Sequence, residues 1–479
     1  MKRLVLVLLA AFAAPAAAQV ESALLSKVSF NLTNPGGKSL AMGGAFTAIA
    51  DDATAAIANP AGLGLLSSFE VGVSGKRSDD VIGLVTARST ASGSLASAYP
   101  AVRGVNSDIS AGASGVEFAG VVIPLSSRLV AAVSYAENLR FEGDPGEDGY
   151  SYIELRDNRS GGSTRRDFLY EYRELGAVSL RNRLLGLSAA WRATDRLRIG
   201  GGVTLNRMDL DLLGDAGGPH RIVNRTFITP TQIETRTTFV AVRDLDESAL
   251  GFLVGVHADL ISGGKLTAGA VYRQTGKAGG TFDIGGDVPS PLAGQESRPF
   301  SARVPRDAAV GLAAQPLPGL TVAVEAQWIA YGDFIDRALP TVSYRGLGGP
   351  FPGFPIGAPP DPPILATLAP PDDVIVPRVG VEYVASSANL LLAFRLGYHR
   401  EPARGVTADL KYTDTTGTAY DIDDPPFSSS VRTVYDGGRN DDRFCGGLGA
   451  TVSRRVSFDL AFDVGRSSRV LSASLFYRF

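Results

Sequence analysis

The chain has 479 residues, with 46 Lys+Arg against 49 Asp+Glu and a formal net charge of −3, so it offers no general attraction to a polyanion and nucleic acid is not an expected partner. One Cys and three His exclude a disulfide framework within the chain and a multi-histidine metal centre; no cofactor and no metal are expected, and Cys445 reads as a small wall residue. Length alone leaves open two or three ordinary domains or one large β-barrel or sandwich.

The first 18 residues read as a removable secretion signal: Lys2 and Arg3 are positive, Leu4 to Phe12 form an apolar core, and Ala16, Ala17 and Ala18 precede Gln19 as a small-residue cleavage site. That apolar core is about half the ~20 residues a membrane anchor needs, and no Cys near the cleavage point invites a lipid. Downstream, no apolar run reaches the ~18 residues of a helical span. The mature part is therefore either a soluble exported protein or a β-barrel.

Next comes LAMGGAFTAIADDATAAIANPAGL, Leu40 to Leu63, built almost wholly from small residues. Gly43 and Gly44 permit a tight bend. Asp51 and Asp52 are expected to cap a short helix over Ala53 to Ala58, and Pro60 disfavours helical geometry at Asn59 and so ends it before Ala61. Such a thin segment suits a piece folded back inside a lumen, though its composition also allows a cap on a globular domain.

From there to the end the chain alternates. At Arg196 to Asn206, Leu197, Ile199, Val203 and Leu205 oppose Arg198, Thr204 and Asn206; at Asn389 to His399, Leu390, Leu392, Phe394, Leu396 and Tyr398 oppose Arg395 and His399. At Arg455 to Val464 five apolar residues oppose Ser457, Asp459, Ala461 and Asp463, and the two aspartates imply a wetted interior. Val470 to Phe479 alternates in the same way.

A soluble sandwich alternates too, so connection lengths must decide. Short turns are expected at Pro124 to Arg128, Thr194 to Arg196, Ser262 to Lys265, Pro316 to Gly319, Ser386 to Asn389 and Ser453 to Arg455. Between them lie long polar or Gly/Pro-rich stretches, about 141–171, 209–247, 276–304, 335–376 and 400–441. Tight turns on one side and long loops on the other mark an outer-membrane barrel, here of about 14 to 16 strands. Such a lumen is too wide for wall side chains to fill. The terminal Phe479 in an alternating last strand is what such barrels present to the barrel-assembly machinery.

The loops carry little chemistry. Gly346 to Pro371 is too rich in Pro to pair as a central strand; its Phe351, Phe354 and Ile356 either meet a greasy ligand or pack on one another. His220, His257 and His399 lie in separate segments and no Gly-x-Ser-x-Gly elbow is present, so a hydrolase has little support. Asp421, Asp423 and Asp424, and Asp441 and Asp442, lack the pattern of a calcium loop. Gly446, Gly447 and Gly449 fall inside an alternating strand rather than in a phosphate loop.

Ser39 to Leu63, with Asn59-Pro60-Ala61, resembles the hatch motif of the FadL-type outer-membrane transporters of long-chain fatty acids and other hydrophobic compounds. Val304 to Phe334 resembles the family's hairpin with a Trp-containing strand, and Val376 to Pro402 and the closing hairpin through Phe479 are also similar. The resemblance implies an all-β, 14-stranded transmembrane antiparallel barrel over 67–479 with an N-terminal hatch over 19–66. It further implies capture of ligand by outer loops, an apolar site near the hatch, and sideways release into the outer-membrane lipids through a gap at a kinked strand. The protein is then a non-enzymatic channel in the outer membrane of a Gram-negative bacterium, its ligand a fatty acid or aromatic hydrocarbon. Asp79 to Gly115 does not divide into strands, so the kinked strand has no place in the sequence. Gly43, Gly44, Asp51, Asp52, Asn59, Pro60 and Ala61 are the expected gating residues. Glu325, Arg395 and His399 face the lumen as candidate ligand contacts or as mutually balancing wall charges, and Arg395 is the one suited to bind a carboxylate bidentately. The alternative is a non-transport barrel acting as a platform or shuttle for secreted proteins.

Overall fold

A computed structural model describes residues 34–83, 108–144, 150–158, 166–175, 177–213, 220–229, 232–243, 247–286, 296–335, 342–345, 363–369, 372–403, 407–413, 419–421, 440–466 and 468–479. The expected signal over 1–18, the first part of the expected hatch, and Phe351, Phe354, Ile356, Asp423 and Asp424 lie outside them.

Fourteen strands close into one antiparallel barrel. In order around the wall they are β1 (Glu70–Gly83), β2 (Asp108–Pro124), β3 (Leu129–Asp144), β6 (Ala177–Arg192), β7 (Leu197–Leu213), β10 (Glu247–Ile261), β11 (Leu266–Gln274), β14 (Asp307–Leu317), β15 (Leu320–Ile329), β18 (Val374–Ser386), β19 (Leu390–Glu401), β22 (Asp441–Val452), β23 (Val456–Val464) and β24 (Ser468–Arg478). All six expected short turns fall between consecutive wall strands. The seam pairs β1 with β24, Glu70 opposite Arg478, and is finished by the Phe479 N–H donating to the Phe69 carbonyl at 3.0 Å. The Phe479 ring meets those of Phe69 and Tyr477 edge-on, at centroid distances of 5.0 and 4.6 Å.

The period of two sorts the wall as the sequence requires. Leu187, Leu205, Leu250, Val310, Leu396, Leu460 and Leu471 are exposed on the outside, while their polar neighbours Ser188, Asn206, Arg395, Asp459 and Ser472 are buried inside. An apolar outer band around a sheet closed on itself is what hydrocarbon demands of a spanning barrel. Among the described residues no helix is long and apolar enough to cross a membrane. The molecule is thus a multi-pass barrel of the outer-membrane type.

Three expectations need correction. The long stretches between hairpins are not simply loops. They contain a six-stranded sheet, with β13 (Glu296–Ala302), β12 (Ala278–Gly286), β9 (Gln232–Arg243), β8 (His220–Thr229), β5 (Arg166–Leu175) and β4 (Tyr150–Asn158) in that order. They also contain a four-stranded sheet of β16 (Val342–Arg345), β17 (Pro363–Ala369), β20 (Thr407–Thr413) and β21 (Ala419–Asp421). Second, β17 lies inside the Pro-rich stretch yet is a central strand, paired on both sides. Its only proline, Pro363, is the first residue, where a missing donor costs least, and Ile364 to Ala369 is Pro-free. Third, Asp459 and Asp463 do not face open water: they are 6% and 1% exposed and held by guanidinium groups.

The lumen is filled by residues 34–66. Helix α1 (Gly37–Ala41) ends in the expected bend, where Gly43 and Gly44 adopt φ of 65° and 79°, a region that favours glycine. The Gly43 N–H donates to the Leu40 carbonyl and the Gly44 N–H to that of Ser39. Helix α2 spans only Ala55–Ala58, and neither aspartate caps it. Asp52 instead accepts from the Thr54 N–H and hydroxyl one turn earlier, while Asp51 pairs with Lys38. Two carboxylates two or more residues ahead of so short a helix close a turn before it rather than its first orphan N–H groups. Asn59 is extended, at φ −155° and ψ 102°, and Pro60 opens a 3₁₀ turn over Pro60–Leu65, so the helix stops where proline forbids it.

This plug is dry. Phe46, Ala53, Ala55, Ala56, Ala58 and Leu63 pack with Phe118, Val122, Val130, Leu184 and Phe476 of the wall, and Met42, Ala45 and Ala48 with Ala313 and Ala323. Wall glycines let the two backbones touch. A Cβ on Gly397 would overlap the Gly43 nitrogen, and one on Gly255 would overlap the Asn59 amide.

Candidate functional site

The plug is stitched to inward-pointing wall residues from many strands. Glu325 of β15, 5% exposed, accepts from the Phe46 N–H at 3.0 Å and the Thr47 N–H at 2.8 Å. Arg378 of β18 donates to the Gly43 carbonyl and to Gln327, whose amide donates to Asp307. Asp307 in turn holds Arg273, which reaches the carbonyl of Ala58. His257 and Thr267 converge on the Ala48 carbonyl at 3.0 and 2.9 Å. Glu70 accepts from the Ala53 N–H at 2.7 Å, and Arg192 donates to the Gly64 and Leu66 carbonyls. These bonds satisfy backbone groups that a short, irregular segment cannot pair internally.

Of the expected gating residues, Asn59 is the most constrained. It is fully buried; its Nδ2 donates to the Thr47 carbonyl at 2.9 Å and to the Val256 carbonyl of the wall at 3.1 Å, and its Oδ1 accepts from the Ala61 N–H at 3.2 Å. Lys38 joins the plug to the wall charges. Its Nζ lies 2.8 Å from Asp51 and 3.8 Å from Glu382. Burial works against its charge, but those carboxylates outweigh it and hold the ammonium above its ordinary range. Burial and the neighbouring Asp51 carboxylate push Asp52 the other way for an acid, up to about 7.

The three candidate ligand contacts separate. Glu325 serves the plug backbone. Arg395, 7% exposed, does bind carboxylates, but they are the chain's own: Nε donates to Glu382 and Nη1 to Asp459, each at 2.6 Å. The His399 Nδ1 lies 3.7 Å from the Cys445 sulfur of the wall. Sequence reading missed Arg378, Gln327, Arg273, Asp307, His257 and Glu70. One signal was available for all of them: a polar residue on the phase opposite an apolar outer row must point inward.

The wall itself is interrupted. β2 pairs with β3 at Ser110 and Ala111 and again from Phe118 to Pro124, but between Ala111/Gly143 and Phe118/Ala136 they make no ladder pairs. Each strand keeps its other neighbour there, β2 with β1 and β3 with β6. Two irregularities flank the opening. The β1–β2 register slips at Ser74/Gly75, leaving Glu117 extra, and the β3–β6 register slips at Glu137/Leu139, leaving Asn138 extra. Bulges bend and twist the strand that carries them, so two facing bulges part the sheet. The Arg140 guanidinium spans the opening opposite Gly115, held by Glu137 and Glu142.

Two cavities meet behind the opening, sharing Lys76, Glu117, Glu137 and Asn138. One runs between Ile57 of the plug and Ala136, Leu184, Phe252 and Leu253 of the wall. The other is more polar and reaches Arg140, Glu401 and Arg443. The molecule is a plugged 14-strand barrel whose ladder is interrupted between its second and third strands.

Its architecture is that of solved transporters. The chain is similar to the Ralstonia pickettii toluene transporter TbuX, with a TM-score of 0.54 at 15% identity over 94% of this chain and 99% of that one. A Pseudomonas aeruginosa FadL homologue gives 0.53 at 14% identity, and the Pseudomonas putida toluene transporter TodX 0.51 at 16%, with the same coverage. The fold is that of the FadL-type transporters. No family model matches the sequence, and no curated protein matches it significantly.

Proposed function

We propose that this barrel takes up hydrophobic small molecules, such as fatty acids or aromatic hydrocarbons, passively across the outer membrane. Ligand gathered by the outer sheets enters the cavity against the plug and leaves sideways, between β2 and β3, into lipid. The observation that carries this reading is the ladder interruption at Gly112–Glu117, beside which Glu117, Glu137 and Asn138 line the cavity against the plug. An apolar exit is the economical one: each buried CH₂ is worth roughly 0.8 kcal/mol, which a route through periplasmic water would forfeit. No energy source beyond the concentration gradient is required. In this reading Gly43 and Gly44 set the plug's bend, Asp51 and Asp52 its charge, and Asn59, Pro60 and Ala61 its seat, so that the plug forms the floor of the route. Two of the similar structures are toluene transporters, which supports the ligand class.

Gly115→Trp tests it. The indole projects toward Arg140 and fills the opening. Wild-type protein in liposomes should pass a hydrophobic dye faster than an inert barrel, and the variant should fall toward the inert rate. A wild type no faster than the inert barrel defeats the uptake reading. A fast wild type matched by the variant defeats the lateral route only.

A further inference from the structure

The wall carries a second polar cluster that the uptake route does not use. Cys445 of β22 is the register partner of Gly397 on β19 and of Asp463 on β23, and His399 lies two residues beyond Gly397. Three adjacent strands thus bring an imidazole, a thiol and a carboxylate together on the inner face, at 0%, 3% and 1% exposure. One ligand atom from each lies within 4.8 Å of the other two. We propose that His399, Cys445 and Asp463 bind a divalent cation of the zinc class.

The geometry suits that ion. The His399 Nδ1 to Cys445 Sγ distance is 3.7 Å. Bonds of about 2.3 Å to sulfur and about 2.0 Å to nitrogen at a tetrahedral angle put the two atoms roughly 3.5 Å apart. Imidazole with thiolate selects zinc-like ions over magnesium or calcium, which prefer oxygen. Three protein ligands leave a fourth position for water.

The second observation is His399 Nε2, which is buried and has no hydrogen-bond partner among the described residues. Glu401 Oε1 lies 3.6 Å from it and Asp463 Oδ2 3.9 Å. A buried unsatisfied nitrogen is costly. With a metal on Nδ1, Nε2 must carry the proton and needs only a few tenths of an ångström to donate to Glu401, completing the carboxylate–histidine–metal arrangement that orients metal-bound imidazoles.

Charge and valence also fit. Arg443 holds Asp463 through Nε at 3.0 and 3.2 Å and Asp441 through Nη1 at 3.1 Å, and a carboxylate retains lone pairs beyond those bonds. Binding releases the Cys445 thiol proton to solvent, so a dication and a thiolate together add one positive charge to a cluster where carboxylates surround Arg443. The ion ties β19, β22 and β23 together beside the polar cavity that Glu401 and Arg443 line.

Cobalt(II) is the probe, titrated into the folded, metal-stripped full chain in detergent. Cys445 is the single cysteine, so a thiolate-to-cobalt charge-transfer band in the wild type reports this site without any variant. The expected result is that band, saturating at one cobalt per chain and bleached by zinc. Cys445→Ser should abolish it, and Glu401→Gln should keep it with affinity roughly 10-fold weaker. Absence of the band in the wild type overturns the proposal, as does a band that survives in Cys445→Ser.

Discussion

Replacing Asn59 by Ala tests the seat of the plug most directly. The carboxamide makes three hydrogen bonds, to the Thr47 and Val256 carbonyls and from the Ala61 N–H, and no water reaches it. At a net value of about 1 kcal/mol per bond, the variant lowers the free energy of local plug opening by about 3 kcal/mol. At ~1.4 kcal/mol per tenfold, that makes opening about a hundredfold more frequent. The α2 amides report it, since the Ala58 and Asn59 N–H groups are protected only while the helix holds its bonds to Thr54 and Ala55. Hydrogen exchange followed by mass spectrometry should show faster exchange over 45–62 and unchanged exchange in the wall strands. The barrel should still shift in electrophoresis on heating, because no ladder bond is lost. Transport should change more than assembly. Unchanged exchange over 45–62 would refute the assignment of Asn59 as the seat, and a matching rise throughout the wall would show that plug and barrel are one cooperative unit.

Arg395→Met strands Glu382 and Asp459 in the wall and should cost about 3–5 kcal/mol in urea unfolding; adding Glu382→Gln and Asp459→Asn should recover much of it. Failure of that recovery would mean Arg395 contributes packing rather than charge balance. Asp52 should make plug seating depend on pH. Because burial and the Asp51 carboxylate raise its seated pKa from 3.8 to about 7, the seated form holds the proton more tightly than the opened form between those values. Seating therefore weakens as pH rises from about 4 to about 7, by on the order of 4 kcal/mol, and levels off above. Asp52→Asn, which keeps an oxygen for the Thr54 N–H, should remove this slope in exchange measured at several pH values; equal slopes would refute it.

Much of the wall is legible without coordinates. In lipid each strand must show apolar residues outward and spend its other phase inward, so the rows through Leu205, Leu396 and Leu471, and all six tight turns, follow from alternation and turn chemistry alone. The bend at Gly43-Gly44 and the break at Asn59-Pro60 are equally local, fixed by which φ and ψ those residues tolerate. What alternation cannot fix is partnership. It told that Glu325, Arg395 and His399 point inward, but whether each meets plug, wall or ligand depends on register and on where a segment hundreds of residues away comes to lie. Glu325 reaches Phe46 and Thr47 across 279 and 278 residues. The outer sheets, central β17 among them, escaped because their strands pair with one another rather than with the wall. The opening between β2 and β3 escaped because it is a mismatch of two bulges, each unremarkable in its own strand. His399, Cys445 and Asp463 have no motif spacing; only the closed ladder, by pairing β19 with β22 and β22 with β23, sets them side by side.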